Sequence, residues 1–369
     1  MTEVPMNLED LRRQLDGIDE RIVQLIAERQ ATVRNISDPK RSSSVPLRDY
    51  GREREVLQRA RTNAQKIGVS GDIAEEMLRI LIRYSLTEQE QARVVAHQAG
   101  TGQRALVIGG AGKMGAWFAR FLYSQGYDVE IADPHAAAAE TVIADWRSSD
   151  LSHDFIIVAT PLGLTNQVLH DLAARKPTGV VFDLGSLKTP LNTGLDALCS
   201  AGVRVTSVHP MFGPDVQLLS GRHLIFIDLG NKDALDRARE LFAPTMAVQA
   251  VMSLQEHDRL IAYVLGLSHA VNIAFITALK NSGESAPRLT ELSSTTFDAQ
   301  FDMARRVVNE SPQLYFEIQK LNAFGQESLD ALLHAVETVR QAVVDNDTEK
   351  FQALMEAGKD YADNRRQEL

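Results

Sequence analysis

The sequence predicts a multidomain chain: an all-helical unit, then an α/β unit built on a parallel sheet, then a helical C-terminal unit. Three observations carry this. Residues 1–98 place apolar side chains at helical three-four spacing, residues 104–230 alternate short β-branched runs with helical stretches, and residues 231–369 return to helical patterning. The length, 369 residues, exceeds what one compact core usually holds, while 44% hydrophobic and 24% charged residues are ordinary globular proportions.

The elements follow in order. Leu8, Leu11, Leu15, Ile18, Ile22 and Leu25 mark one buried seam on a long first helix. It should end near Asp38-Pro39, because proline cannot continue the backbone ladder. The run KRSSSVP (40–46) reads as a loop. A second helix is expected from Arg48-Asp49, and a third from about Gly71-Asp72 to Val95, with Ser70 or Asp72 as its cap. Residues 97–103 read as a linker. The runs at 105–109, 127–132, 154–160, 179–184, 203–208 and 223–229 are continuous apolar strands, which implies a parallel sheet covered on both faces. After Asn231 helices run to Leu369, apart from a short strand near Val248–Val251. Leu260–Leu279 is uncharged and of membrane-spanning length, yet it carries Ser268, His269 and Asn272 in a polar chain. It is therefore read as a core or subunit-interface helix, with no membrane contact.

A formal net charge of −10 excludes a phosphate-tracking nucleic-acid surface and disfavours an anionic membrane, since both need excess Lys and Arg. The charge is uneven: residues 1–100 hold 16 cationic and 16 acidic side chains, against 23 and 33 in the rest. Of the sixteen cations only Lys40 and Lys66 are lysine, a bias toward the bidentate recognition of carboxylates that arginine provides. Cys199 is the single cysteine, so an intrachain disulfide and a thiolate metal cluster are excluded, no metal is expected, and a reducing cytoplasm fits. The opening MTEVPMNLEDLRRQ carries early acids and no apolar run, unlike a secretory signal.

ALVIGGAGKMG ends a strand and opens a helix with Gly110-x-Gly112-x-x-Gly115. The first glycine permits the turn, the second lets a pyrophosphate approach the backbone and the third lets helix and strand pack closely. The phosphates would sit on the helix N-terminus. Asp133 follows Gly115 by eighteen residues at the end of the second strand, placed to hold a ribose diol and to repel a 2′-phosphate, which favours NAD over NADP.

Carrying the first-helix seam past Leu25 reaches Arg29, Val33, Ile36 and Lys40, so two cations fall on an apolar face. A buried unpaired charge is very costly, so they need partners. The second helix aligns Asp49, Arg52, Glu53, Val56 and Ala60, and the third Leu78, Ile82, Ser85 and Gln89. Either these form internal salt bridges or they line a dry pocket for a small polycarboxylate. The set Arg12, Arg29, Lys40, Asp49, Arg52, Glu53, Ser85 and Gln89, with the run RxxLDGID…LIAER…PLRDYGRERE, resembles the all-helical chorismate mutases over about residues 6–95. The resemblance implies that Arg29, and Arg12 from a second subunit, clamp the two carboxylates of chorismate. Lys40 and Gln89 would donate to the breaking ether oxygen, Glu53 and Asp49 would address the ring hydroxyl, and Arg52 and Ser85 would complete the pocket. A one-step rearrangement needs only a folded conformer held in place and developing charge stabilised. A homodimer follows from the borrowed arginine.

Further on, Asp183-Leu-Gly-Ser186-Leu-Lys188 follows a strand, and VTSVHPMFGPD puts His209 at the end of the next. Open parallel sheets bind ligands at such strand ends. Together with GGAGKMG, VATPL, EHD at 256–258, GLSH, LSS at 292–294 and RRVVNESPQLY, these motifs resemble the prephenate dehydrogenases. Nearly the whole chain thus resembles the bifunctional mutase–dehydrogenase family of tyrosine biosynthesis. The resemblance adds Lys113, Met114, Thr160 and Pro161 to the glycines and Asp133 as NAD-binding positions. It implies that His209 hydrogen-bonds the ring hydroxyl of prephenate and that Arg306, favoured over Arg305 by its spacing from Pro312, binds a carboxylate. Ser186 and Tyr315 would support, while His269 and Lys188 shape the pocket. Arogenate or dual specificity is an alternative, as is a non-catalytic helical module on an active dehydrogenase. Feedback inhibition by tyrosine is implied as well.

Overall fold

The computed structural model describes residues 7–40, 48–136 and 141–364, side chains at 36–40 excepted. Three long helices come first: α1 (Leu8–Lys40), α2 (Tyr50–Lys66) and α3 (Gly71–His97). Asp49 caps α2 by accepting the Arg52 N–H at 2.9 Å, and Ser70 caps α3 by accepting that of Asp72. Helix α1 runs through Asp38-Pro39 to Lys40, past the stop expected from the sequence. Pro39 sits one residue before the last described position of α1, where its missing N–H removes a single ladder bond. The rest of the predicted 40–46 loop lies outside the described residues.

Helices α2 and α3 pack against each other, and Leu57, Ala64, Leu86 and Val94 are the buried apolar side chains they contribute. Helix α1 bonds to α3 in its C-terminal half, through Arg29, Gln30 and Arg34. The predicted buried seam is consequently open in the single chain: Leu8, Leu15 and Leu25 are 63%, 57% and 61% exposed.

The second unit follows as β1 (Arg104–Ile108), α4 (Lys113–Ser124), β2 (Asp128–Ala132), β3 (Val142–Ile143), β4 (Phe155–Val158), α5 (Leu162–Arg175), β5 (Val180–Asp183), α6 (Asn192–Ser200) and β6 (Arg204–Val205). The six strands form a parallel sheet in the order β3-β2-β1-β4-β5-β6. The period of two along each strand divides the core: Leu106, Ile108, Ile156 and Val158 pack with Leu169, Leu172, Leu195 and Leu198 of α5 and α6, while Ala105, Val107, Phe155 and Ile157 pack with Phe118 and Leu122 of α4.

One sheet was expected through residue 229; the chain makes two. The run 203–208 breaks at Thr206, whose N–H donates to Val181 O of β5 at 3.1 Å and whose hydroxyl donates to Ile227 O at 2.9 Å. Beyond it, β7 (Ser207–Pro210) pairs antiparallel with β8 (His223–Ile227), and after α7 (Lys232–Glu240) the strand β9 (Val248–Met252) adds parallel to β8. Pairing thus carries α7 and β9 with the sheets, beyond the junction at residue 230 drawn from the sequence.

The remainder is helical: α8 (Leu254–Ile261), a wide turn at Ala262–Leu267, then α9 (Ser268–Asn281), α10 (Ala286–Glu291), α11 (Thr295–Val308), α12 (Pro312–Leu321), α13 (Gly325–Val344) and α14 (Thr348–Asn364). Leu254–Asn281 is continuous and, by length and composition, apolar enough to cross a membrane, yet only 22% of its most apolar window is buried. It is therefore not a core helix of the single chain; Leu260, Tyr263, Val264 and Ile273 face outward.

Candidate active sites

In the helical unit, the Arg29 guanidinium donates to Ser85 Oγ at 2.9 Å and to Leu81 O at 3.3 Å, and Ser85 Oγ donates to Gln30 Oε1 at 2.8 Å. Burial pulls Arg29 below the ordinary guanidinium pKa. Gln30 is buried, and its Nε2 has no hydrogen-bond partner among the described residues. An unpaired amide beside a half-buried arginine and a buried serine is the chemistry expected of a site for a small anion. Glu53 is held by a residue the sequence reading did not single out, Arg48, through bonds of 2.8 and 3.0 Å. Gln89 is half-buried on α3. The remaining predicted positions lie elsewhere: Asp49 is spent on the α2 cap, Arg52 is exposed and paired with Glu55 at 2.9 Å, and Arg12 is exposed on α1. The Lys40 side chain lies outside the described residues. A single chain therefore assembles Arg29 with Ser85 and leaves Arg12, Asp49 and Arg52 outside that pair.

In the sheet unit, the glycine loop leaves β1 and enters α4 with Gly112 as its N-cap and no side chain bonded to the cap, so the first-turn N–H groups face outward with Lys113 and Met114. The left-handed turn falls on Gly109 (φ +85°), one residue ahead of the predicted motif, where a Cβ would come within 2.7 Å of Ala159 O. At Gly115 a Cβ would lie 2.2 Å from Gly109 O, and at Gly110 it would lie 2.7 Å from Ile131 Cγ2. Both glycines are thus required by packing. Asp133 accepts from Ala111 N–H at 3.1 Å and His135 N–H at 2.9 Å, which sets it against the loop as predicted. Thr160 and Pro161 lead from β4 into α5 beside this loop; Pro161 stands at the N-cap position of α5 without a side-chain cap, and Thr160 Oγ1 bonds Thr165 Oγ1 at 3.0 Å. The loop cradle, the uncapped helix end and the acid at the second strand fit a dinucleotide at the β1–β4 crevice.

Near the C-terminal end of β5 lies a buried polar cluster. Lys188 is fully buried; its ammonium donates to Asp183 Oδ1 at 2.8 Å and Val208 O at 3.0 Å. It ties β5 to β7, with Asp183 as its counter-ion. Asp183 also accepts from Ser207 Oγ and from Gly185 N–H. On β7, His209 Nδ1 lies 2.9 Å from His257 Nε2, and His257 Nδ1 lies 2.7 Å from Asp258 Oδ1. Burial, then the charges of His257 and Lys188, hold His209 well below the usual histidine pKa, and burial likewise lowers His257. Burial pushes Asp258 up, but bonds from His257, Thr189 and Lys188 outweigh it and leave its carboxyl below the usual range. His257 and Asp258 appear in the sequence only as part of a motif; their partnership with His209 spans 48 residues and needs the fold.

His269 and Tyr315 come together, ring centroids 4.2 Å apart, with His269 Nδ1 buried and unpartnered among the described residues. Ser186 is half-buried beside the Asp183 turn. Arg306 is exposed on α11, as is Arg305, whose nearest charge is Asp302 at 3.8 Å.

The fold and the two clusters define a two-site chain of the enzyme class, with an all-helical anion-binding cluster joined to a dehydrogenase-type dinucleotide crevice. The type II chorismate mutase family matches residues 11–90, the prephenate dehydrogenase nucleotide-binding domain residues 118–251 and the prephenate dehydrogenase dimerization domain residues 253–357. The T-protein of Enterobacter agglomerans is 29% identical over 312 residues, 84% of this chain and 80% of that protein. The chorismate mutase of Methanocaldococcus jannaschii is 30% identical over 84 residues, 23% of this chain and 85% of that one. In fold, the chain is similar to a solved prephenate dehydrogenase from A. aeolicus in complex with hydroxyphenyl propionate and NAD+, with a TM-score of 0.56 at 19% identity, covering 71% of this chain and 98% of that one. The chain belongs to the chorismate mutase and prephenate dehydrogenase families and is a bifunctional enzyme of tyrosine biosynthesis whose dehydrogenase half carries a nucleotide-binding domain.

Proposed function

We propose that Arg29, Ser85, Lys40 and Gln89 hold chorismate in its folded conformer, with Arg12 supplied by a second copy, and that His209 then serves the oxidation of prephenate. The exposed α1 seam and the outward apolar face of Leu254–Asn281 support a homodimer in which both are covered. The mutase site stabilises charge on the ether oxygen as its bond breaks, through Lys40 and Gln89. Glu53, which Arg48 holds, addresses the ring hydroxyl with Asp49, and Arg52 completes the pocket.

At the second site the nicotinamide, when bound at the Gly110–Gly115 loop, supplies the hydride acceptor. His209 takes the C4 hydroxyl proton as the carbonyl forms, and returns it to the phenolic oxygen after the ring carboxylate leaves as carbon dioxide. Aromatisation makes the step irreversible. Arg306 binds a substrate carboxylate, and Ser186, His269 and Tyr315 fit the substrate around it, while Lys188 holds β5 and β7 in register. Tyrosine, which shares the product's 4-hydroxyphenyl ring, would compete there. A single cysteine and a formal charge of −10 support a cytoplasmic enzyme acting on small molecules.

The observation that carries this reading is the buried His209 on β7, its pKa held well below the usual value by burial, beside the C-terminal end of β5 in the sheet whose β1 leads into the glycine loop. The test is separation of activities. Lys40→Ala should abolish chorismate consumption while supplied prephenate is still oxidised, and His209→Asn should do the reverse. Retention of the assigned activity by either variant refutes that assignment.

A further inference from the structure

We infer that His257 and Asp258 are positioning residues that fix which nitrogen of His209 carries its proton, through the buried chain Asp258–His257–His209. The inference rests on the reading of His209 as proton acceptor and adds the residues that make it one.

The tautomers follow from counting donors. Besides His257, Asp258 faces the N–H of Lys188 at 2.9 and 3.2 Å, the N–H of Thr189 at 2.6 Å and the Thr189 hydroxyl. The backbone N–H groups can only donate, so the carboxylate is kept as an ionised acceptor. His257 Nδ1 must then donate to Asp258, which leaves Nε2 of neutral His257 as an acceptor. His209 Nδ1, 2.9 Å from that atom, must donate in turn, and the unshared pair is left on His209 Nε2. That is the nitrogen a general base needs, and no other neutral assignment satisfies both bonds.

All three side chains are buried: His257 and Asp258 are wholly inaccessible and His209 is 4% exposed. Water therefore has little access to substitute for a missing partner. The backbone is anchored as well, since Asn322 Nδ2 donates to Asp258 O at 2.9 Å. The charged groups facing the chain are Lys188, which follows β5, and Asp183 at the end of β5; they neutralise each other at 2.8 Å.

The experiment uses the full-length protein labelled with nitrogen-15 histidine, the His209 signals being identified by their loss in His209→Asn. In the wild type Nδ1 should give the protonated-ring shift and Nε2 the unprotonated one. Asp258→Asn turns an amide N–H₂ toward His257, because the amide oxygen is needed by Thr189. It should therefore move the proton to His209 Nε2 and lower dehydrogenase kcat by about 10²- to 10⁴-fold, with KM changed much less. His257→Leu should lower kcat similarly. His257→Gln, whose carbonyl can accept from His209 Nδ1–H, should recover at least about tenfold over His257→Leu. If Asp258→Asn fails to fold, the wild-type spectrum and the His257 pair still decide. A proton on Nε2 in the wild type, or a His257→Leu kcat within about threefold of wild type, overturns the inference. Activity in His209→Asn instead overturns the underlying role of His209 and leaves the tautomer measurement standing.

Discussion

Glu90 joins the mutase to the dehydrogenase, and its removal has a calculable effect. It lies on α3 next to Gln89, 3% exposed, with one carboxylate oxygen accepting Leu219 N–H at 2.7 Å and the other accepting Met246 N–H at 2.7 Å. Leu219 belongs to the segment between β7 and β8, and the adjacent Ser220 accepts from Arg48, the residue that orients Glu53. Glu90→Ala strands two N–H groups at about 1–3 kcal/mol each, so about 2–6 kcal/mol of docking energy is lost. Glu90→Gln keeps one acceptor and should lose about half of that. Trypsin cleavage after the exposed Arg222 reads the release of this segment. With tenfold in population for each 1.4 kcal/mol, cleavage should accelerate by at least about tenfold in Glu90→Ala, and less in Glu90→Gln. Urea unfolding should begin at lower concentration in the same order. Wild-type cleavage by Glu90→Ala, or a larger effect from Glu90→Gln, would refute the reasoning.

Three further outcomes are expected. His209 titrates well below the usual value of about 6.5 and works unprotonated, so dehydrogenase kcat/KM should stay level as pH falls through 6.5 and decline only further down; stability linked to His209 is likewise present above the unfolded value and lost as pH falls toward the folded one. An acid limb at 6.5 or higher contradicts this. Gly115→Ala forces a methyl to 2.2 Å from Gly109 O, and isothermal titration should find NAD affinity reduced at least about tenfold. Leu15→Arg, at a position 57% exposed in the single chain, should convert a dimer to monomers in sedimentation and remove mutase activity; an unchanged dimer with full activity would count against the shared site.

The helices, most of the parallel strands and the glycine loop are legible because each is written in local spacing: three-four along α1–α3, continuous apolar runs at β1, β2, β4 and β5, and glycines at the G-x-G-x-x-G positions; the two-residue β3 is too short to leave such a run. The α1 seam was legible as apolar but not as open, since burial is decided by what α3 fails to reach and not by periodicity. The division of 203–208 between two sheets was not legible, because it turns on Thr206 bonding β5 and β8 across the fold. Lys188 shows the same limit. Its motif marks a place near the cofactor, whereas its partner Asp183 and its complete burial give it a bracing role.

By itself, then, the sequence determined the three-part organisation, the dinucleotide loop, the family and the residue types that chorismate and prephenate chemistry requires, because these are local patterns with a local physical cause. The tertiary structure alone decided which residues meet. It set Arg48 on Glu53, Glu90 across the junction, and Asp258 and His257 behind His209. Hydrogen bonds and ion pairs between distant segments depend on distance and desolvation, and neither is defined until the chain has folded.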